Sequence, residues 1–161
     1  MVTSVTDKHG GSEQGSEQGS EQESAGSARW LGLVGQVIIF PEGLIGCATW
    51  RRFMLEGDPE ADAVLNMASQ DQAGIGFWVT DPFLVLSDYE VPINDDEARL
   101  IGLKDLSDAL VLCILTVRDE EPRVTANLMG PLIINTRERL GRQLVLPDSR
   151  YSVRHAVKLD S

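Results

Sequence analysis

Side chains able to do chemistry are scarce in this sequence. The two histidines are His9 and His155, and the two cysteines are Cys47 and Cys113. No pair among them has metal-ligand spacing, and one histidine beside one carboxylate makes a weak site. A hydrolytic triad can be drawn from Ser149 or Ser152 with His155 and Asp148. No strained G-x-S-x-G turn supports it, and a histidine so placed more often hydrogen-bonds a loop. Phosphate-cradling loops of the Walker or dinucleotide kind are missing too. Adjacent carboxylates occur at Asp95-Asp96 and at Asp119-Glu120-Glu121, but the first pair reads as a helix start and the second set as a turn. The residues point away from catalysis, with neither cofactor nor metal expected, and by themselves go no further.

Charge narrows the kind of partner. The 161 residues carry a net charge of −11, unevenly spread. Residues 28–121 hold 17 acidic side chains against 6 basic ones, whereas residues 122–161 hold 7 basic against 3 acidic. A strongly acidic segment repels a nucleic-acid backbone and favours basic partners; the plainer reading is a solvated surface that maintains solubility. The longest apolar run, Ala109 to Val117, is about half of what a helix needs to cross a bilayer. The N-terminus lacks the basic-then-apolar order of a secretory signal, which makes the cytoplasm the expected compartment. Two isolated cysteines in apolar settings fit free, partly buried thiols rather than a disulfide framework.

The elements that must position these residues read as strands. Residues 1–27, with Gly-Ser-Glu-Gln three times in succession from Gly11 to Gln22, are too polar to offset the cost of ordering a backbone. They are expected to form an unstructured acidic tail ahead of a single domain over residues 28–161. Leu33 to Phe40 is a strand region ended by Pro41 and Gly43. Phe53 to Leu55 and Val64 to Ala68 are short strands. From Ile75, the residues Ile75, Phe77 and Val79 take one face, and Gly76, Trp78 and Thr80 the other, until Asp81-Pro82 closes the strand. Tyr89, Val91 and Ile93 alternate with Glu90 and Pro92, so one face is buried and Pro92 marks an edge or bulge. Asn94 caps a short helix whose first turn carries Asp95, Asp96 and Glu97. Leu110 to Val117 is apolar on both faces and should be the most buried strand. The pattern predicts a mostly β fold, a small antiparallel barrel-like domain of about nine short strands with one or two short helices.

The C-terminal stretch is the most specific. Leu132 to Ile134 enters as a strand through Gly130-Pro131, Arg137 to Gly141 reads as a turn with positive φ at Gly141, and Gln143 to Leu146 returns. Asn127, Pro131 and Asn135 read as architectural, the asparagines bonding loop backbone at the strand ends. Four blocks taken together carry a family resemblance: Phe40-Pro41-Glu42-Gly43-Leu44, Val79-Thr80-Asp81-Pro82-Phe83, Asn127-Leu128 with Pro131 to Asn135 and Gly141-Arg142-Gln143, and Tyr151-Ser152-Val153-Arg154-His155. In this order and spacing the chain resembles the flagellar assembly factor FliW family over roughly Leu31 to Lys158. It departs at Ile45 and Cys47, where the family usually has Pro and then Phe, and at Ala156, where a Pro commonly follows the histidine.

The resemblance implies a cytoplasmic β-barrel-like protein without catalysis, with flagellin and the basic RNA-binding regulator CsrA as alternative partners. Flagellin would be held before export; the freed protein would bind CsrA and relieve repression of flagellin translation. It further implies no direct nucleic-acid or membrane contact, and a monomer is expected. The residues themselves leave open an acidic protein-binding module for an unrelated partner. The acidic strand and loop fit a basic partner by complementary charge, which places the expected CsrA interface at Asp88, Tyr89, Glu90, Asp95 and Asp96. An amphipathic flagellin segment would instead meet an apolar groove or a sheet edge.

Overall fold

The computed structural model describes residues 2–6, 30–147 and 150–158. In chain order the strands among these residues are β1 (Val2–Thr6), β2 (Val37–Ile39), β3 (Arg52–Glu56), β4 (Val64–Ser69), β5 (Gly76–Thr80), β6 (Glu90–Asn94), β7 (Ala109–Val117), β8 (Val124–Ala126), β9 (Leu132–Asn135), β10 (Leu140–Gln143) and β11 (His155–Ala156). Helices are α1 (Pro82–Val85) and α2 (Asp95–Leu100), with a 3-10 turn at Leu106–Asp108. The order β7-β5-β4-β3-β2-β10-β9 closes on itself because β9 also pairs with β7. The fold is therefore a closed seven-strand barrel with β8 and β11 added beside β7, and the mostly β expectation holds.

One long strand explains the closure. Residues Ala109 to Leu112 of β7 pair with β9, and residues Leu115 to Val117 pair with β8, while Trp78 to Thr80 of β5 lie along its opposite side. Its side chains alternate between two cores. Leu110 and Leu112 point into the barrel with Phe40, Phe53, Leu55, Met67 and Val79. Ala109, Val111, Cys113 and Leu115 point outward into a second cluster with Tyr89, Val91, Ile93, Ile133, Leu144 and Tyr151. A strand lined on both faces must be apolar on both faces, as its sequence is.

The hairpin differs from its reading. The turn is Thr136–Arg139, positive φ falls on Arg139 (55°) rather than on Gly141, and the return strand is Leu140–Gln143 rather than Gln143 to Leu146. Gly141 is small for a packing reason. It pairs with Ile134 on the barrel's inner side, and a Cβ there would lie 2.7 Å from the Phe40 ring. Pro41 and Gly43 turn the chain as expected. Gly43 donates its N–H to Phe40 O at 2.8 Å with φ at 71°, and any Cβ would meet the Ala48 backbone at 2.5 Å. Asp81 and Pro82 do more than end β5, because Asp81 Oδ1 accepts from Phe83 N (2.9 Å) and caps α1, with Pro82 in its first turn.

The absence of structure expected over residues 1–27 fails at its start. Val2–Thr6 forms a strand antiparallel to β6, with Ser4 opposite Pro92. Four of these five residues are β-branched, a strand-forming run that the neighbouring Gly-Ser-Glu-Gln repeats hide in any average over the segment. Residues 7–29 lie outside the described residues.

Candidate functional site

The acidic edge is built by β6 and α2. Alternation along β6 buries Val91 and Ile93 and exposes Glu90, Pro92 and Asn94. Asn94 Oδ1 accepts from Glu97 N (2.8 Å), which fixes the start of α2 and sets Asp95 and Asp96 on the surface. Asp88, Glu90, Asp95 and Asp96 are thus all exposed within one short stretch. Arg150 approaches Glu90 at 4.0 Å, and Arg99 pairs with Asp96 at 3.3 Å; both pairs are solvent-exposed, so they neutralise the edge weakly. Glu97 is committed elsewhere, since Arg142 holds it together with Glu42.

Tyr89 does not belong to this surface. It is 1% exposed, and its hydroxyl donates to Leu128 O. Its ring meets Tyr151 edge-on at 4.7 Å and Phe83 at 5.9 Å. Burial raises the phenol pKa, with smaller contributions from Cys113 and Tyr151. Its expected place in an interface is corrected to a core position: the alternation that turns Glu90 outward turns Tyr89 inward.

The architectural residues behave as stitching. Asn127 Oδ1 accepts from Gly130 N at 2.8 Å, and the Pro131 carbonyl accepts from Leu144 N at 2.8 Å. Asn135, buried, donates from Nδ2 to Ile101 O (2.9 Å) and accepts from Arg137 N (3.0 Å) and Glu138 N (3.2 Å). Gly141-Arg142-Gln143 acts as a unit on the turn after β2. The glycine makes room for Phe40, the arginine holds Glu42, and Gln143 accepts from Ile45 N (2.8 Å) while donating to Gly130 O (3.0 Å). Arg154 is exposed, and its N–H donates to Ser152 Oγ at 3.0 Å. His155 is half-buried in β11 opposite Ala126. Asp148 and Ser149 of the drawn triad lie outside the described residues.

Among the described residues no three His, Cys, Asp or Glu side chains gather where a metal could be held, and no helix is long and apolar enough to cross a membrane. Both cysteines are free thiols. Burial pushes the Cys113 thiol up to about 12, which keeps it protonated and unreactive.

A second surface escaped the sequence reading. On the outer side of β4, β5, β7 and β8 runs an apolar groove of about 430 Å³, lined by Val64, Trp78, Leu84, Leu115, Val117, Val124 and Val157 among others. Strand register explains it: Trp78 faces Leu115, and Val117 faces Val124. Trp78 is 51% exposed, Leu84 69% and Val117 62%. Contiguous apolar exposure of this kind marks an interaction site more often than chance. The available signal was Trp78 itself, a large apolar ring on the face of β5 shared with Gly76 and Thr80.

Comparison with known proteins gives a consistent picture. The family model described as FliW protein matches residues 33–157. A flagellar assembly factor FliW from Clostridium botulinum (strain Langeland) is 33% identical over 119 residues, spanning 74% of this chain and 83% of the relative. The one from Natranaerobius thermophilus is 33% identical over 121 residues, 74% of this chain and 80% of the relative. That of Leptospira biflexa is 32% identical over 120 residues, 74% and 78% respectively. A crystal structure of the flagellar assembly factor FliW superposes with a TM-score of 0.70 at 27% identity, covering 77% of this chain and 86% of that one.

Proposed function

The chain belongs to the FliW family, and on that premise we propose that it acts in the cytoplasm by binding, without catalysis, holding flagellin before export and antagonising CsrA when free of flagellin. One observation carries this reading: a single barrel presents two chemically opposite surfaces on different elements. The groove around Trp78 is apolar and open, suited to one face of an amphipathic helix. The edge at Asp88, Glu90, Asp95 and Asp96 is acidic and exposed, suited to a basic protein. Flagellin takes the first and CsrA the second.

Two charge changes test the assignment. Trp78→Lys places a cation in the groove and should weaken flagellin binding by at least about tenfold, roughly 1.4 kcal/mol, while CsrA affinity changes little. Glu90→Lys should weaken CsrA binding by a similar factor, and that loss should shrink as salt screens the contact. Measured at low salt by calorimetry, unchanged CsrA affinity for Glu90→Lys would place that interface elsewhere. Equal loss of both partners in either variant would overturn the two-surface reading.

A further inference from the structure

Strand β6 stands apart from the barrel sheet. Among the described residues its ladder partner is β1, through Val2 to Thr6 against Asn94 to Glu90. The direction of its amides can be worked out. Glu90 N donates to Tyr151 Oη at 2.9 Å and so is not spent on β1. Amides alternate along a strand, so those of Val91 and Ile93 face β1, and Pro92, which has no N–H, falls where β1 needs no donor. Without β1, this side of β6 is a bare row of donors and acceptors of the kind that captures an extended peptide.

Two further observations indicate that β1 is a replaceable occupant. The family match begins at residue 33, so β1 lies outside the part of the chain that defines the barrel. Its sequence Val-Thr-Ser-Val-Thr carries no charge, although exposed acids stand at both ends of β6, Asp88 and Glu90 at one and Asp95 and Asp96 at the other. A strand bearing lysine or arginine would make the same main-chain bonds and add complementary charge. Resting on the basic-partner reading of the acidic surface, we propose that the β1-facing edge of β6 is an acceptor site for an extended basic peptide segment, and that the chain's own N-terminal strand occupies it in cis until such a segment displaces it. The tethered strand then acts as a threshold: a neutral peptide gains nothing over β1, whereas a basic one does.

The test compares a locked with a released edge in the full-length chain. Ser4→Cys with Pro92→Cys, in a Cys47→Ser background, places two thiols directly across the ladder, and their oxidation pins β1 in place. Thr3→Pro with Val5→Pro removes the β1 donors that face β6. The probe is a short synthetic peptide alternating lysine and valine, with a glutamate-valine peptide as control. The released form should bind the basic peptide at least about tenfold more tightly than the oxidised lock, and reductant should restore binding to the lock. Amide exchange at Val91 and Ile93 should be faster in the released form and slow again on adding the basic peptide. Equal binding by locked and released forms, absence of binding to both, or unchanged exchange at Val91 and Ile93 would each overturn the proposal. Trp78→Lys should leave the result unchanged, which separates it from loss of the groove.

Discussion

The two hydrophobic clusters of this protein are held together by different means. Inside the barrel, Phe40, Phe53, Leu55, Met67, Val79 and Leu112 pack together, and the rings of Phe40 and Phe53 stand edge-on at 5.6 Å. Outside it, single polar contacts tie the added segments to one another and to the wall: Tyr89 to Leu128 in the loop after β8, Glu90 of β6 to Tyr151, and Asn135 of β9 to Ile101 at the end of α2. Burial and shape stabilise the first cluster, so its loss scales with removed volume. The second is apolar as well, but it also carries buried polar bonds such as Tyr89 to Leu128 and Asn135 to Ile101, where deleting one partner strands the other. The inner cluster makes the barrel; the outer one holds the acidic edge in place.

Truncating the interior should have the largest effect. Phe53→Ala removes a fully buried ring and should cost about 3–5 kcal/mol, measured by urea denaturation. Asn135→Ala strands a buried carbonyl and leaves two turn amides to solvent, and should cost about 1–3 kcal/mol with loss of exchange protection centred on the β9–β10 turn. If Asn135→Ala proved harmless, the outer layer would be governed by burial alone and the contrast would collapse. Tyr89→Phe keeps the ring and removes one bond, so about 1–2 kcal/mol is expected. The smallest effect is a pH dependence at the barrel rim. Asp71 accepts from the N–H groups of Arg52 (2.8 Å) and Arg51 (2.7 Å), which hold its carboxyl below the ordinary value of 3.8. A lowered folded-state pKa gives stability that is present above that value and lost as pH falls through the folded one. The Tm difference between wild type and Asp71→Asn should accordingly be widest at neutral pH and close on acidification below 3.8; a difference independent of pH would remove Asp71 from the account.

Legibility in the sequence tracked how local the cause was. The alternation of β5 and β6, the Asn94 cap and the turn at Pro41 and Gly43 are set by neighbours in the chain, and each emerged where expected. Helix α1 was signalled by Asp81-Pro82, a cap followed by a first-turn proline, yet four residues are too few to show periodicity. Gly141 looks like a turn glycine in sequence because its real cause, the Phe40 ring, lies about a hundred residues away. The apolar groove was hidden for the same reason: Val64, Trp78, Val117 and Val124 become neighbours only through strand register. Of the site, Glu90 and the α2 carboxylates are readable from alternation and capping, and the same alternation already sets Tyr89 on the buried face with Val91 and Ile93, against its place in the expected interface.

Barrel closure also sets an order of events during synthesis. Strand β2 meets β10 in parallel at Ile39 and Leu140, and β7 meets β9 through Leu110 and Ile134. A ribosome delivers β2, β3, β4 and β5 early, and these can form an antiparallel meander from neighbouring segments alone. The seam that completes the ring must wait until the last quarter of the chain has emerged. Until then the nascent protein carries two open sheet edges, a state that slows folding and invites association with other unfinished chains.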